Sequence, residues 1–199
     1  LDGADNPGGG APSDSTFVLE RILAKDIDNA LIAFLYDPEA VKVLVDTDVG
    51  AKLELRIGGK TSAASGSPVD IEVELKAILH GHSQSGLGLN WPLGTAVWVR
   101  AANRLDLILT SLRSQPFDPA SIEKLGIDLA SKRLIVVKSI QHFHAGFAPV
   151  AKGGVIYIAA PGALTPDFAN IPYKKRSLDY WPRTEFAVPC LVTDWKNEP

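Results

Sequence analysis

The sequence predicts an α/β fold: a mixed sheet of buried, largely parallel strands joined to an antiparallel meander, in a single compact domain. Three observations carry this. NALIAFLY (29–36), LIVV (134–137) and VIYIAA (155–160) are continuous apolar runs, as strands buried on both faces are. Helical or looped segments separate the three, the pattern that accompanies parallel pairing. The middle of the chain instead alternates apolar with polar residues, which marks strands with one wet face. LIVV is expected inside the sheet, and an all-β sandwich, or LIVV at a sheet edge, would overturn this arrangement.

Residues 1–13, LDGADNPGGGAPS, read as a loop, because three consecutive glycines bracketed by Pro7 and Pro12 suit neither helix nor strand. A helix follows over about 15–25, with Asp14 as its N-cap and Val18, Leu19, Ile22 and Leu23 as its apolar stripe. The run 29–36 is the first buried strand, and Asp37-Pro38 opens a second helix to about residue 46. In 51–57, Leu53, Leu55 and Ile57 alternate with Lys52, Glu54 and Arg56. In 69–79, Val69, Ile71, Val73, Leu75, Ala77 and Leu79 alternate with Asp70, Glu72, Glu74 and Lys76. The first polar face is mostly basic and the second mostly acidic. An antiparallel hairpin with cross-strand ion pairs follows, at about 0.2–1 kcal/mol per pair. A further hairpin is expected between 95–100 and 104–110 across Ala102-Asn103. The meander therefore spans roughly 51–110, and no internal linker is expected.

The chain of 199 residues is 46% hydrophobic and 22% charged, an ordinary globular composition. A net charge of −3 leaves no basic footprint for nucleic acid. No apolar run is long enough to span a membrane as a helix. The chain opens at Leu1, contains no Met and enters a glycine-rich motif at once, so it reads as a piece of a longer polypeptide. The lack of a signal-peptide pattern is then uninformative, and a cytoplasmic location is the expectation. The single cysteine, Cys190, excludes an internal disulfide and any cysteine-cluster metal site, and reads as an inert structural thiol.

Ligands of parallel α/β sheets bind beyond the carboxyl ends of the strands. Those ends carry YDP (36–38), KSIQHFH (138–144) and APGALTPD (160–167). Lys138, Ser139 and His142 are the polar groups best placed for a site. The alternative is that Lys138 and Ser139 only cap the next segment and that His142 is structural. The NPGGG loop leads into a helix N-terminus, where free N–H groups attract anions. A tight entry loop with no ligand is equally consistent with it. It is neither a P-loop nor a dinucleotide fingerprint, since no GK[ST] follows and no strand precedes it. The four histidines form two H-x-H pairs. His80 and His82 continue the even-numbered, solvent-facing series and run into the flexible segment HSQSGLG, so they are expected as surface residues. There is no HExxH and no nucleophile elbow, and no catalytic carboxylate pair stands out. The isolated chain is expected to bind no structural zinc.

The stretches ADNPGGGAPSDST (4–16), YDPEAV (36–41), GGKTS (58–62), FDPASIEKLGID (117–128), VVKSIQHFHAGFAP (136–149) and IPYKKRSLDYWP (171–182) occur in an order that resembles the C-terminal domain of MlrC-like metallopeptidases. The resemblance covers the chain to about Pro182 and leaves the tail 183–199 unassigned. It implies a two-domain zinc hydrolase, whose best-known member cleaves linearised microcystin peptides. The zinc ligands would lie in an N-terminal domain that this chain lacks. The C-terminal domain would close over the cleft. It would contribute Asp5, Asn6, Gly8, Gly9, Gly10, Lys138 and Ser139 to substrate binding and His142 to catalysis, as a hydrogen-bond donor toward developing negative charge. The glycine loop and the KSIQHF turn would then share one side of the domain as a polar cleft. His144 stands where arginine is expected, so no role passes to it, and RSLDYWPRTEF departs from the family's ending. The implied partners are the N-terminal domain and a small peptide or amide substrate, with a homo-oligomer allowed. The competing reading is a non-catalytic module that binds a small anion or mediates assembly.

Overall fold

The structure is a computed structural model that describes residues 1–185. Cys190 and most of the tail 183–199 lie outside the described residues. The chain divides into two compact units, Leu1–Leu164 and a second from Thr165.

The first unit is built on one six-stranded mixed sheet in the order β2-β3-β4-β5-β1-β6. The elements are α1 (Phe17–Ala24), β1 (Ala30–Tyr36), α2 (Pro38–Val45), β2 (Lys52–Ile57), β3 (Val69–Gly86), β4 (Leu89–Arg100), β5 (Asp106–Thr110), α3 (Pro119–Glu123), β6 (Leu134–Val137) and α4 (His144–Phe147). β1 pairs in parallel with β5 on one side and β6 on the other. The pairs β2/β3, β3/β4 and β4/β5 are antiparallel. Helices cover both faces, which gives two apolar layers. Leu19 and Ile22 of α1 and Ala40, Val41 and Leu44 of α2 pack on Ile32, Leu35, Leu107 and Leu109. On the other face Ile122, Leu125, Phe143 and Phe147 pack on Leu31, Ala33, Phe34 and Ile108.

Local signals account for the elements that the sequence predicts well. β1 has parallel neighbours on both sides and helices on both faces, so all but its last residue are buried. Pro38 occupies the first turn of α2 and the Asp37 carboxylate accepts the Ala40 N–H, a capped start. In the β2/β3 pair, Arg56 faces Asp70 and their side chains form the expected ion pair at 2.6 Å. Glu54, however, faces Glu72, and Glu74 pairs with Lys76 of its own strand.

Several expectations are corrected. α1 begins two residues later than predicted and its N-cap residue is Thr16, without a side-chain cap bond. Asp14 turns away and accepts the N–H groups of Lys60 and Thr61. LIVV is β6 and lies at the edge of the sheet, counter to the interior position expected, and only its last two residues are buried. The mixed α/β architecture stands on β1, whose two neighbours are both parallel. VIYIAA is not a buried strand. It makes a single bridge, Ile158 to Asp2, and Ile156 and Tyr157 are 71% and 59% exposed. Its β-branched and aromatic residues favour a strand, but only the short Leu1–Asp2 stretch is there to pair with it.

HSQSGLG is not a flexible segment: β3 continues to Gly86 and turns into β4 at Leu87-Gly88. Register shifts at Lys76 and around Gly81 break the alternation along β3. Each extra residue exchanges the two faces. Ala77 and Leu79 therefore pack in the layer opposite to Val73 and Leu75. For the same reason His82 is buried, at 7% exposure, and its Nε2–H donates to the Ser121 carbonyl at 2.8 Å. His80 is exposed, as expected.

In the second unit, Tyr173 and Tyr180 meet edge to face at 5.6 Å between ring centroids. The Arg176 guanidinium lies over both rings. No helix among the described residues is long and apolar enough to cross a membrane.

Candidate functional site

The first motif loop is fastened from below by buried charge. Asp5 turns inward after a short helical turn, Gly3–Asp5, and is 1% exposed. Its carboxylate accepts the N–H of Ser13 at 2.8 Å and of Ser15 at 2.7 Å, folding residues 6–12 into a closed lobe. Lys138, at the carboxyl end of β6, reaches into the same place and is also 1% exposed. Its ammonium lies 2.8 Å from Asp5, 3.0 Å from Asp2 and 3.1 Å from the Ser15 carbonyl. Two carboxylates and a carbonyl thus satisfy one ammonium, the condition under which a charge persists out of water. Asp2, absent from the predicted site, is fully buried beside it.

The loop itself is internally bonded. Asn6 accepts the Gly8 N–H on its side chain at 2.9 Å, and its carbonyl accepts those of Gly9 and Ala11. The Gly10 N–H donates to the Pro7 carbonyl. The free N–H groups expected of the three glycines are therefore taken, which corrects the anion-cradle premise. Gly10 stands at φ +96°, a left-handed position that ends the turn. Gly8 is required for a different reason: a Cβ there would lie 1.2 Å from Nε2 of Gln115.

Gln115 joins the two motifs. It is 7% exposed, and its Oε1 lies 3.0 Å from His142 Nδ1 and 3.3 Å from Ser139 Oγ. The loop that carries it is held by Gln84 of β3. The Gln84 side chain donates to the carbonyl of Gln115 and accepts the Phe117 N–H at 2.8 Å. Phe117 in turn packs against the His142 ring at 6.2 Å between centroids. The bulges that buried the far end of β3 therefore serve to seat residues 114–118.

The DNPGGG loop and the KSIQHF turn thus share one side of the unit, Asp5 through Lys138 and Gly8 through Gln115. Within that cluster the residues divide by exposure. Asp5, Asn6, Lys138 and Ser139 are buried, whereas Gly8, Gly9, Gly10 and His142 reach the surface. The end of β1 beneath is distorted. Ser13 and the fully buried Phe34 both have positive φ, +67° and +56°, and the β1/β5 register shifts between Ile32 and Leu35. Such a conformation for a buried aromatic side chain is uncommon and accumulates at functional sites. YDP and GGKTS form a neighbouring bracket, since Asp37 accepts the Gly58 N–H and the Lys60 ammonium, both at 2.8 Å. Among the described residues, no group of three or more His, Cys, Asp or Glu side chains could hold a metal ion.

The comparisons place this arrangement in a family. The family described as the MlrC C-terminus matches residues 1–175, and the chain belongs to it. It is 34% identical over 182 residues to microcystinase C of a Sphingomonas species, which covers 92% of this chain and 35% of that protein. Its fold resembles the crystal structure of a metallopeptidase candidate from Mesorhizobium sp. BNC1, with a TM-score of 0.76 at 22% identity, over 92% of this chain and 37% of that one. The chain thus spans little more than a third of either relative.

Proposed function

We propose that this chain is the C-terminal part of a zinc-dependent amide hydrolase resembling microcystinase C, and that it supplies one wall of a cleft completed by the rest of the parent protein. The observation that carries this reading is the meeting of the two family motifs around Gln115, with His142 as the exposed side chain beside the glycine loop. In this arrangement Asp5 and Lys138 hold the loop in place, and Ser139 bonds Gln115. His142 and the exposed loop face a peptide or amide substrate. By the family resemblance, the zinc ligands of the parent would lie in its N-terminal domain. Of the competing reading, a non-catalytic module that binds a small anion or mediates assembly, the anion half loses the support of the glycine N–H groups, which are already bonded.

The test is His142→Ala in the full-length parent. Turnover of small peptides and amides is expected to fall roughly a hundredfold, the scale seen when one positioned side chain that takes up or gives a proton is lost. Bound metal should stay unchanged. A fully active variant, or one that loses its metal, sinks the reading.

A further inference from the structure

We propose that Gln115 is a positioning residue that locks His142 into a single tautomer, with the proton on Nδ1 and a bare Nε2 turned toward the ligand. This rests on the reading of His142 as the exposed member of the site, and it names the chemistry that His142 would meet.

The argument begins with what a carboxamide oxygen can do. Oε1 of Gln115 only accepts hydrogen bonds. It stands 3.0 Å from His142 Nδ1, so Nδ1 carries the proton and donates. Ser139 Oγ, which is fully buried, donates to the same oxygen at 3.3 Å. The amide nitrogen points the other way and lies against Gly8, where a Cβ would overlap it. The Gln115 backbone is held in place, because its carbonyl accepts from the buried Gln84 side chain. The Phe117 ring flanks the imidazole and limits its rotation.

A neutral imidazole with Nδ1 protonated has a lone pair on Nε2. His142 then offers an acceptor, not the donor expected from the sequence. It becomes a donor at Nε2 only after taking up a proton. The group it selects is a hydrogen-bond donor: the N–H of a scissile or neighbouring amide, or a water molecule. A bare anion is disfavoured. This also gives the glycine at position 8 a chemical reason, since its missing side chain leaves room for the amide that orients the histidine.

The test uses the full-length parent labelled with ¹⁵N-histidine, with long-range ¹H–¹⁵N correlation spectra assigned through the His142→Ala variant. The wild-type protein is expected to show the Nδ1–H tautomer at His142. Gln115→Leu should shift it toward Nε2–H or a mixture and lower kcat roughly tenfold or more, with KM little changed. Gln115→Glu keeps an acceptor in place and should retain the Nδ1–H tautomer and most of the turnover, which a purely structural role for Gln115 does not predict. An Nε2–H tautomer in the wild type overturns the proposal without recourse to any variant, as does a tautomer unmoved by Gln115→Leu in a folded protein. Should the tautomer be as stated while His142→Ala is fully active, the positioning by Gln115 stands and the hydrolase reading fails.

Discussion

Replacing Lys138 by methionine is expected to cost about 3–5 kcal/mol of folding stability, because it strands two buried carboxylates. Asp2 and Asp5 are both at most 1% exposed, and the Lys138 ammonium is the cation that contacts each of them among the described residues. The Asp5 carboxylate keeps two backbone N–H donors, from Ser13 and Ser15. Asp2 would keep little more than the Ser15 hydroxyl at 3.4 Å. The measurement is chemical denaturation, read as a shift in midpoint at constant slope. Adding Asp2→Asn to Lys138→Met should recover part of the loss, since the neutral amide removes one uncompensated charge. A cost below about 1 kcal/mol, the range of an exposed pair, would show that the ammonium is not held as described.

A loss of similar size is expected from Asp106→Ala at the start of β5, about 3–5 kcal/mol by the same reasoning. Asp106 is fully buried and receives Trp98 Nε1 at 2.8 Å, Arg100 Nε at 2.7 Å and the Lys132 ammonium. The Lys132 side chain is itself only 3% exposed, so the alanine variant leaves a buried cation without its carboxylate. The site has a pH signature. Burial pushes the Asp106 carboxyl up, but the hydrogen bonds from Arg100, Lys132 and Trp98 outweigh it and hold the group below its ordinary value. A carboxyl lowered in the folded state stabilises the fold above its unfolded value, about 3.9. That contribution fades as the pH drops from there through the folded value. The wild type should therefore lose stability below about pH 4, and Asp106→Ala should lose less over the same interval. Parallel curves for the two proteins would remove Asp106 from the account.

How far the sequence could be read depended on whether a signal was local. β1, α2, the β2/β3 pair and the β4/β5 hairpin were legible because each follows from a residue period or a cap a few positions long. The bulges in β3 were not, since one added residue changes which way every later side chain faces without changing the composition. His82 was misread for that reason alone. The runs at 134–137 and 155–160 show the converse: an apolar run states a preference for burial but not how many neighbours the sheet will provide. At the candidate site, the two motif segments could be named through the family resemblance. Their internal division of labour could not. Gln115 sits in an irregular loop and Asp2 in a short lead-in, and neither residue type nor spacing marks them. Their partners lie far away in the chain, on Ser139 and His142 for one and on Lys138 for the other.

That separation has a kinetic meaning. The Asp2–Lys138 contact joins residues 136 positions apart, whereas the β3/β4 and β4/β5 pairings close short loops. Closing the larger loop costs more entropy before any contact repays it. The meander should therefore form early, and the motif loop should lock onto the end of β6 last, after the rate-limiting barrier. Substitutions at Asp2, Asp5 or Lys138 would then speed unfolding while leaving the refolding rate almost untouched. The cluster that shapes the candidate site would act as a latch on the native state, governing how long the assembled loop survives and contributing little to how fast it is found.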